Sequence, residues 1–433
     1  MSGVLEVRQR LTGPGAPFEI VEEAVLGERM QVFKNRPRSL REVLQQSATH
    51  AAQEYLVQGD RRITYSEHLE LVAALGAVLR ERYGIAKGDR VAILAENRVE
   101  WPLSFWATVS LGGIVAALNG WWTADEIAYG IADSGPKLLI ADRKRLARAG
   151  SLDVPVLEIE SEFDELLREA AGAALPETPL DEEDPAVILY TSGTTGRPKG
   201  AVASHRAIVG FVQTTTLSGA ESVLAEVMAG RAEMQANRPQ TVFLATPPMF
   251  HLSGLYANIV LQLSIGGKLV IRPGRFDPGA VLQLIEKERI TAWAALGSMG
   301  PRVARHPDLE KYDRSSVENV GFGGAPTTEA VQELMREAFP NAKGKLGIGY
   351  GSSESVSTAA TMRGTDYDAH PTSTGRPVAT VQIEIRDPEG KPVPDGVEGE
   401  IHLRSPYLML GYWNKEEATH ETIKPGRWLA TGD

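Results

Sequence analysis

Cysteine is missing altogether from this 433-residue chain. That one absence removes a disulfide framework, a thiolate nucleophile and a cysteine zinc site. Positive charge is in short supply as well: 45 Lys and Arg stand against 56 Asp and Glu, a net charge of −11. A surface of that sign repels phosphate backbones and anionic lipid, so neither nucleic acid nor a membrane surface is an expected partner. The opening segment MSGVLEVRQRLTGPG lacks the apolar core of a secretory signal, which makes the cytoplasm the expected compartment. The membrane-like stretch, Trp101 to Ala124, carries no charge but is broken by Pro102, Gly112, Gly113 and Asn119-Gly120. It falls short of the ~20 continuous apolar residues of a bilayer span and reads as a buried helix followed by a buried strand.

What is present is the alternation of strands with helices. VAILAE, the helix EWPLSFWATVSLGG, the strand IVAALNG, the helix TADEIAYGIADSG with Thr123 and Glu126 in a capping box, and the strand PKLLIAD follow one another from Val91. After an acidic connector near Pro176 to Pro185 the pattern resumes with AVILY, a helix opened by Ser204, TVFLATP, GLYANIVLQLSIGG, KLVIRPG and a helix beginning at Asp277-Pro278. Beyond Thr374 the period changes to two in VQIEIRD and EIHLRSP, separated by turn material, as in an antiparallel hairpin. The expected fold is α/β: two lobes with mostly parallel sheets, over residues 1–180 and 181–374, and a small antiparallel β subdomain over 375–433. No tandem repeat and no low-complexity segment interrupts it.

The sharpest local feature is YTSGTTGRPKG, Tyr190 to Gly200, read as a loop between the strand AVIL and a following helix. Gly193 and Gly196 let amide hydrogens converge, Thr191, Ser192, Thr194 and Thr195 add hydroxyls, and Lys199 adds a point charge. Such a loop suits a polyphosphate. It is not a Walker loop, because Pro198 stands where the second glycine of that motif belongs.

TSGTTGRPKG resembles the signature of the adenylate-forming superfamily, which includes acyl-CoA synthetases, peptide-synthetase adenylation domains and beetle luciferases. PPMFH at Pro247 to His251, GGAP at Gly323 to Pro326, YGSSE at Tyr350 to Glu354 and TGD at Thr431 to Asp433 follow in the order that family requires. The resemblance implies ATP, magnesium and CoA as co-reactants and a small carboxylic acid as substrate. It assigns the phosphates to residues 191–196 and Lys199. The adenine falls to Gly323, Gly324, Ala325 and Pro326, with Tyr350, Gly351 and Ser352 facing it. Ser353, where relatives usually have threonine, falls to the α-phosphate, and Asp433 to the ribose hydroxyls. Glu354, with Thr191, is expected to hold the magnesium. Phe250, His251, Trp293, Gly297 and Gly349 are expected around the acid, and His251, Ser353, Glu354 and Lys199 are the candidate catalytic residues.

Departures from the family pattern concern the acid and not the nucleotide. Gly297, Ser298 and Met299 replace a proline-rich turn, Thr216 to Gln240 is longer and more helical than usual, and Trp121-Trp122 is atypical. The family's mobile C-terminal domain, with its catalytic lysine, would follow TGD, so the chain ending at Asp433 reads as an N-terminal domain impaired in turnover. The expected activity is an ATP-dependent acyl-CoA synthetase acting on a hydrophobic acid, from medium-chain fatty to ring-containing. The alternatives are a fatty acyl-AMP ligase, an amino-acid adenylation domain, or a nucleotide-binding fragment. An amino-acid substrate would want an aspartate soon after PPMFH, and Leu252 to Val260 contains none.

Overall fold

The computed structural model describes every residue except Met1, 192–195, 231–232, 234–238 and Ser357. Its described residues form a mixed α/β architecture with two large parallel-rich sheets and a small antiparallel one. In the seven-stranded sheet the strands run in the order Gly411–Tyr412, Lys199–Ser204, Pro185–Thr191, Ile114–Ala117, Arg90–Leu94, Leu138–Ala141, Val156–Glu158. The five from Pro185–Thr191 onward are parallel, and the two at the other edge are antiparallel. The nine-stranded sheet has a parallel centre over Leu346–Tyr350, Asn319–Gly323, Ala292–Ala294, Val242–Ala245, Lys268–Ile271 and Glu54–Gln58. Antiparallel strands close both its edges.

The sheets do not follow a boundary at residue 180. Glu54–Gln58 and Arg61–Thr64 belong to the sheet otherwise built after residue 240, whereas Pro185–Thr191 and Lys199–Ser204 belong to the one built before 160. Buried parallel strands are near-continuous apolar runs, and nothing in such a run says which sheet will take it. One hydrophobic core serves both lobes, joining Trp101, Phe105 and Ile140 to Leu255, Tyr256 and Ile271. At its centre every residue of the helix Glu100–Ser110 is buried, as a helix apolar all round requires. No helix of the described residues is long and apolar enough to cross a membrane.

Local signals hold where the chemistry is strong. Thr123 caps the helix Ala124–Ser134 in a complete capping box with Glu126. Ser204 accepts from Ala207 N–H, and Asp277 with Pro278 opens Pro278–Glu288. Two differences stand out. GLYANIV forms a π-helix, Ser253–Val260, continuing into a short α-helix. The segment GRPKG leads not into a helix, as expected, but into the strand Lys199–Ser204, which pairs antiparallel with Pro185–Thr191. The β subdomain pairs Gln382–Arg386 with Glu400–Arg404, as the alternation predicts, and adds Trp428–Ala430 and Ile423–Lys424.

Candidate active site

The hairpin fixes the base of the phosphate loop. Thr191 and Lys199 are register partners, and the Thr191 hydroxyl donates to the Lys199 carbonyl at 3.3 Å. Gly196 adopts φ 128°, a conformation closed to other residues at little cost. Ser192, Gly193, Thr194 and Thr195 lie outside the described residues.

Lys199 is drawn into a second motif by a residue that sequence reading passed over. Its Nζ stands 4.4 Å from the centroid of the Tyr412 ring, within cation–π range. The Tyr412 hydroxyl donates to Glu354 Oε1 at 2.7 Å. Tyr412 is buried, and burial first and the Glu354 carboxylate second push its pKa well above the usual tyrosine value. It therefore keeps its proton and acts as a fixed donor. Its position follows from strand pairing, Ala201 with Tyr412 and Val202 with Gly411, extended by Trp413 N–H to the Gly200 carbonyl at 2.7 Å. Met409 N–H donates to the Glu354 carbonyl at 2.8 Å, tying down the YGSSE loop from the same segment.

The remaining nucleotide motifs meet at the carboxyl ends of adjacent parallel strands, where open α/β sheets place ligands. Gly323 and Gly349 are register partners, and a Cβ on Gly323 would come within 3.1 Å of the Gly349 carbonyl oxygen. Backbone alone can form that wall. Gly324, Ala325 and Pro326 continue it into solvent. Across from it the Tyr350 hydroxyl donates to Asp433 Oδ2 at 2.7 Å. Burial, reinforced by that carboxylate, pushes the Tyr350 hydroxyl up to about 12. TGD is pinned in turn: the Thr431 hydroxyl donates to the Ile401 carbonyl at 2.8 Å and Gly432 N–H to Glu400 at 2.9 Å. After Gly351, Ser352 and Ser355 close a turn, Ser352 N–H donating to Ser355 Oγ at 2.8 Å, which leaves Ser353 and Glu354 between them. Val356 follows, fully buried at φ 54°, a strained conformation for a β-branched residue and one that clusters at functional loops.

PPMFH leaves the strand Val242–Ala245 and is held by Asn97. The Asn97 amide donates to the Pro247 carbonyl at 2.9 Å and to the Ala245 carbonyl at 3.3 Å, and its oxygen accepts from Met249 N–H at 2.9 Å. Phe250 is buried and His251 reaches solvent, their ring centroids 5.1 Å apart. The protein around His251 withholds enough water to keep its pKa below the usual histidine value, so near pH 7 it is neutral. Trp121 joins the pair, perpendicular to Phe250 at 5.3 Å and 6.5 Å from His251. Gly297 is exposed beside Ser298. Trp293, expected near the acid, is a core residue, 1% exposed with its ring edge-on to Phe339.

No group of three or more His, Asp or Glu able to cage a metal occurs among the described residues. The arrangement fits a magnesium ion that arrives with phosphates, which needs only one or two protein carboxylates. Glu354 would be the carboxylate at hand, its bond to Tyr412 using a single oxygen. A surface concavity of about 570 Å³ lined by Arg80, Glu81 and residues 169–177 lies apart from these motifs and gathers no convergent polar set.

Comparison with known proteins gives the family. The AMP-binding enzyme family matches residues 43–413. A 4-coumarate–CoA ligase of Humulus lupulus, CCL1, is 31% identical over 388 residues, covering 86% of this chain and 68% of the relative. A feruloyl-CoA synthase of Amycolatopsis sp. is 30% identical over 388 residues, covering 87% of this chain and 71% of the relative. The solved N-terminal domain of FACL13 from Mycobacterium tuberculosis superposes with a TM-score of 0.79 at 27% identity, covering 92% of this chain and 96% of that one. Ordered motifs, joined sheets and likeness over most of its length place the chain in the AMP-binding enzyme family, within the adenylate-forming superfamily.

Proposed function

We propose that the protein is an AMP-forming acyl-CoA ligase that activates a hydrophobic, ring-bearing or medium-chain carboxylic acid. The reading is supported above all by the Lys199–Tyr412–Glu354 linkage, in which a lysine suited to phosphate and a carboxylate suited to magnesium flank one fixed tyrosine. The nature of the acid is supported by the rings of Trp121, Phe250 and His251, and by relatives named for 4-coumarate and ferulate.

In the first step a carboxylate oxygen attacks the α-phosphorus of ATP, and the bond to the bridging oxygen breaks with its electron pair leaving on pyrophosphate. The CoA sulfur then displaces AMP from the acyl carbon and gives up its proton. No covalent enzyme intermediate is needed, and catalysis is positioning and charge neutralisation. Lys199 faces the phosphates and Ser353 offers a hydroxyl to the α-phosphate. Asp433, aligned by Tyr350, accepts from the ribose hydroxyls. Neutral His251 orients the acid without trapping its carboxylate as an ion pair. Magnesium, when bound with the nucleotide, spreads the phosphate charge, and Glu354 with Thr191 would hold it. The proposed setting is the cytoplasm, where ATP and CoA are at hand.

The test combines calorimetric titration of ATP and AMP with pyrophosphate release over a panel of carboxylates, with and without CoA. Nucleotide binding together with acid-dependent pyrophosphate release is the expected result. Failure to bind either nucleotide overturns the reading.

A further inference from the structure

Of the five large apolar side chains that lie exposed among the described residues, Trp121 is the most open, at 63%. An indole in water forgoes one of the largest burial gains any side chain can make. Yet its backbone is held as firmly as a core segment. Trp121 N–H donates to Asn119 Oδ1 at 2.8 Å, and the Gly120 carbonyl accepts from Arg145 Nε and Arg148 Nη1, both at 3.1 Å. Arg148 also donates to the Trp122 carbonyl at 3.0 Å. The neighbouring Trp122 is buried edge-on to Tyr190 at 5.3 Å, so the second indole of the pair anchors the loop. Gly120 completes the mount: a Cβ there would lie 2.8 Å from Arg145 Nε and 3.2 Å from Phe250 Cε1. Only glycine lets the loop dock this closely on the PPMFH segment.

A fixed loop carrying an exposed indole against Phe250 and His251 is a built surface waiting for an apolar partner. We propose that Trp121 is the specificity-determining residue for the acid, its indole forming the aromatic wall against which a planar acyl group packs. The proposal rests on the ligase reading above and adds to it the residue that selects the substrate. The occupant is the acyl portion of the acid and not its carboxylate, because the rings that surround it present no cation: His251 is neutral near pH 7. A flat, conjugated or ring-bearing acid gains an offset or edge-on contact with the indole, and a two-carbon acid is too short to reach it.

The experiment uses non-hydrolysable acyl-sulfamoyl adenosines, so it measures binding and does not depend on turnover. Wild type, Trp121→Ala and Trp121→Phe are titrated calorimetrically with AMP and with the cinnamoyl and acetyl analogues, and each variant is melted to confirm its fold. Trp121→Ala should bind the cinnamoyl analogue about 10-fold more weakly. It should bind AMP and the acetyl analogue within twofold of wild type, and Trp121→Phe should keep most of the cinnamoyl affinity. Wild type alone should show a cinnamoyl-specific change in tryptophan fluorescence. Unchanged cinnamoyl affinity in Trp121→Ala, or an equal loss for all three ligands in a variant that melts normally, overturns the proposal. A wild-type protein that binds none of them overturns the ligase reading itself, which is a different result.

Discussion

The nucleotide half and the acid half of the site are built on different principles. On the nucleotide side the functional groups are bonded to one another: Tyr350 to Asp433, Tyr412 to Glu354, and Lys199 over the Tyr412 ring. On the acid side the functional side chains meet through ring contacts, and the hydrogen bonds belong to the mounts, Asn97 under PPMFH and Arg145 with Arg148 under Trp121. On the proposed reading, directional bonds hold groups for one ligand, ATP, whereas apolar walls on fixed mounts can be recut for different acids without disturbing the chemistry next to them.

The largest expected effect ignores that division, because both halves stand on one core. His68 is fully buried without a hydrogen-bond partner, and His205 is buried with Nδ1 accepting from Leu40 N–H at 3.1 Å. Burial lowers their pKa values from the ordinary 6.5 to about 3 and about 4. The folded state then binds fewer protons than the unfolded state between those values and 6.5. Stability is fully present above pH 6.5 and is lost as pH falls through that window. Each group contributes up to about 1.4 kcal/mol per pH unit, so roughly 5 kcal/mol should be gone by pH 4.5. Denaturant unfolding at pH 7 and pH 4.5 measures it, and His68→Phe should flatten the dependence.

The next effects separate the halves. Lys199→Ala removes a charge-assisted contact worth about 1.5–3 kcal/mol, so ATP affinity should fall about 10- to 150-fold by calorimetry while the indole-dependent acyl selectivity survives. Tyr412→Phe deletes one hydrogen bond to a carboxylate, about 1.5 kcal/mol, and should weaken magnesium–ATP binding about 10-fold with AMP binding little changed. Asn97→Ala should do the reverse. It frees the PPMFH loop at a cost of about 1 kcal/mol, which predicts about fivefold weaker binding of acyl-adenylate analogues and unaltered AMP affinity. Equal losses for both ligand types in any of these variants would erase the distinction between the halves.

Helix starts, buried runs and the late hairpin were legible because their causes are local: a capping box, an Asp-Pro opening, a period of two. Sheet membership was not, since Glu54–Gln58 and Pro185–Thr191 are similar apolar runs that long-range pairing sends to opposite sheets. The nucleotide motifs were legible as a set through family resemblance, and the structure brings Tyr350 to Asp433 and Lys199 close to Glu354. Tyr412 escaped notice because its role exists only once a strand near residue 411 pairs with one near 201. Trp293 and Trp121 show the same gap from two directions. Periodicity cannot say which tryptophan faces the core and which faces solvent, and here Trp293 is buried while the one noted only as atypical, Trp121, is exposed beside Phe250.

The pairing of Gly411–Tyr412 with Lys199–Ser204 has a consequence for handling the molecule. Were the chain cut near residue 374, Lys199–Ser204 would become the bare margin of a six-stranded sheet, a row of unpaired amides and carbonyls over mostly buried apolar residues. Such margins recruit other chains. The two residues at the far end of the fold therefore act as a hem: they finish the cloth, and a shortened protein lacking them should unravel into aggregates before it loses any single ligand contact.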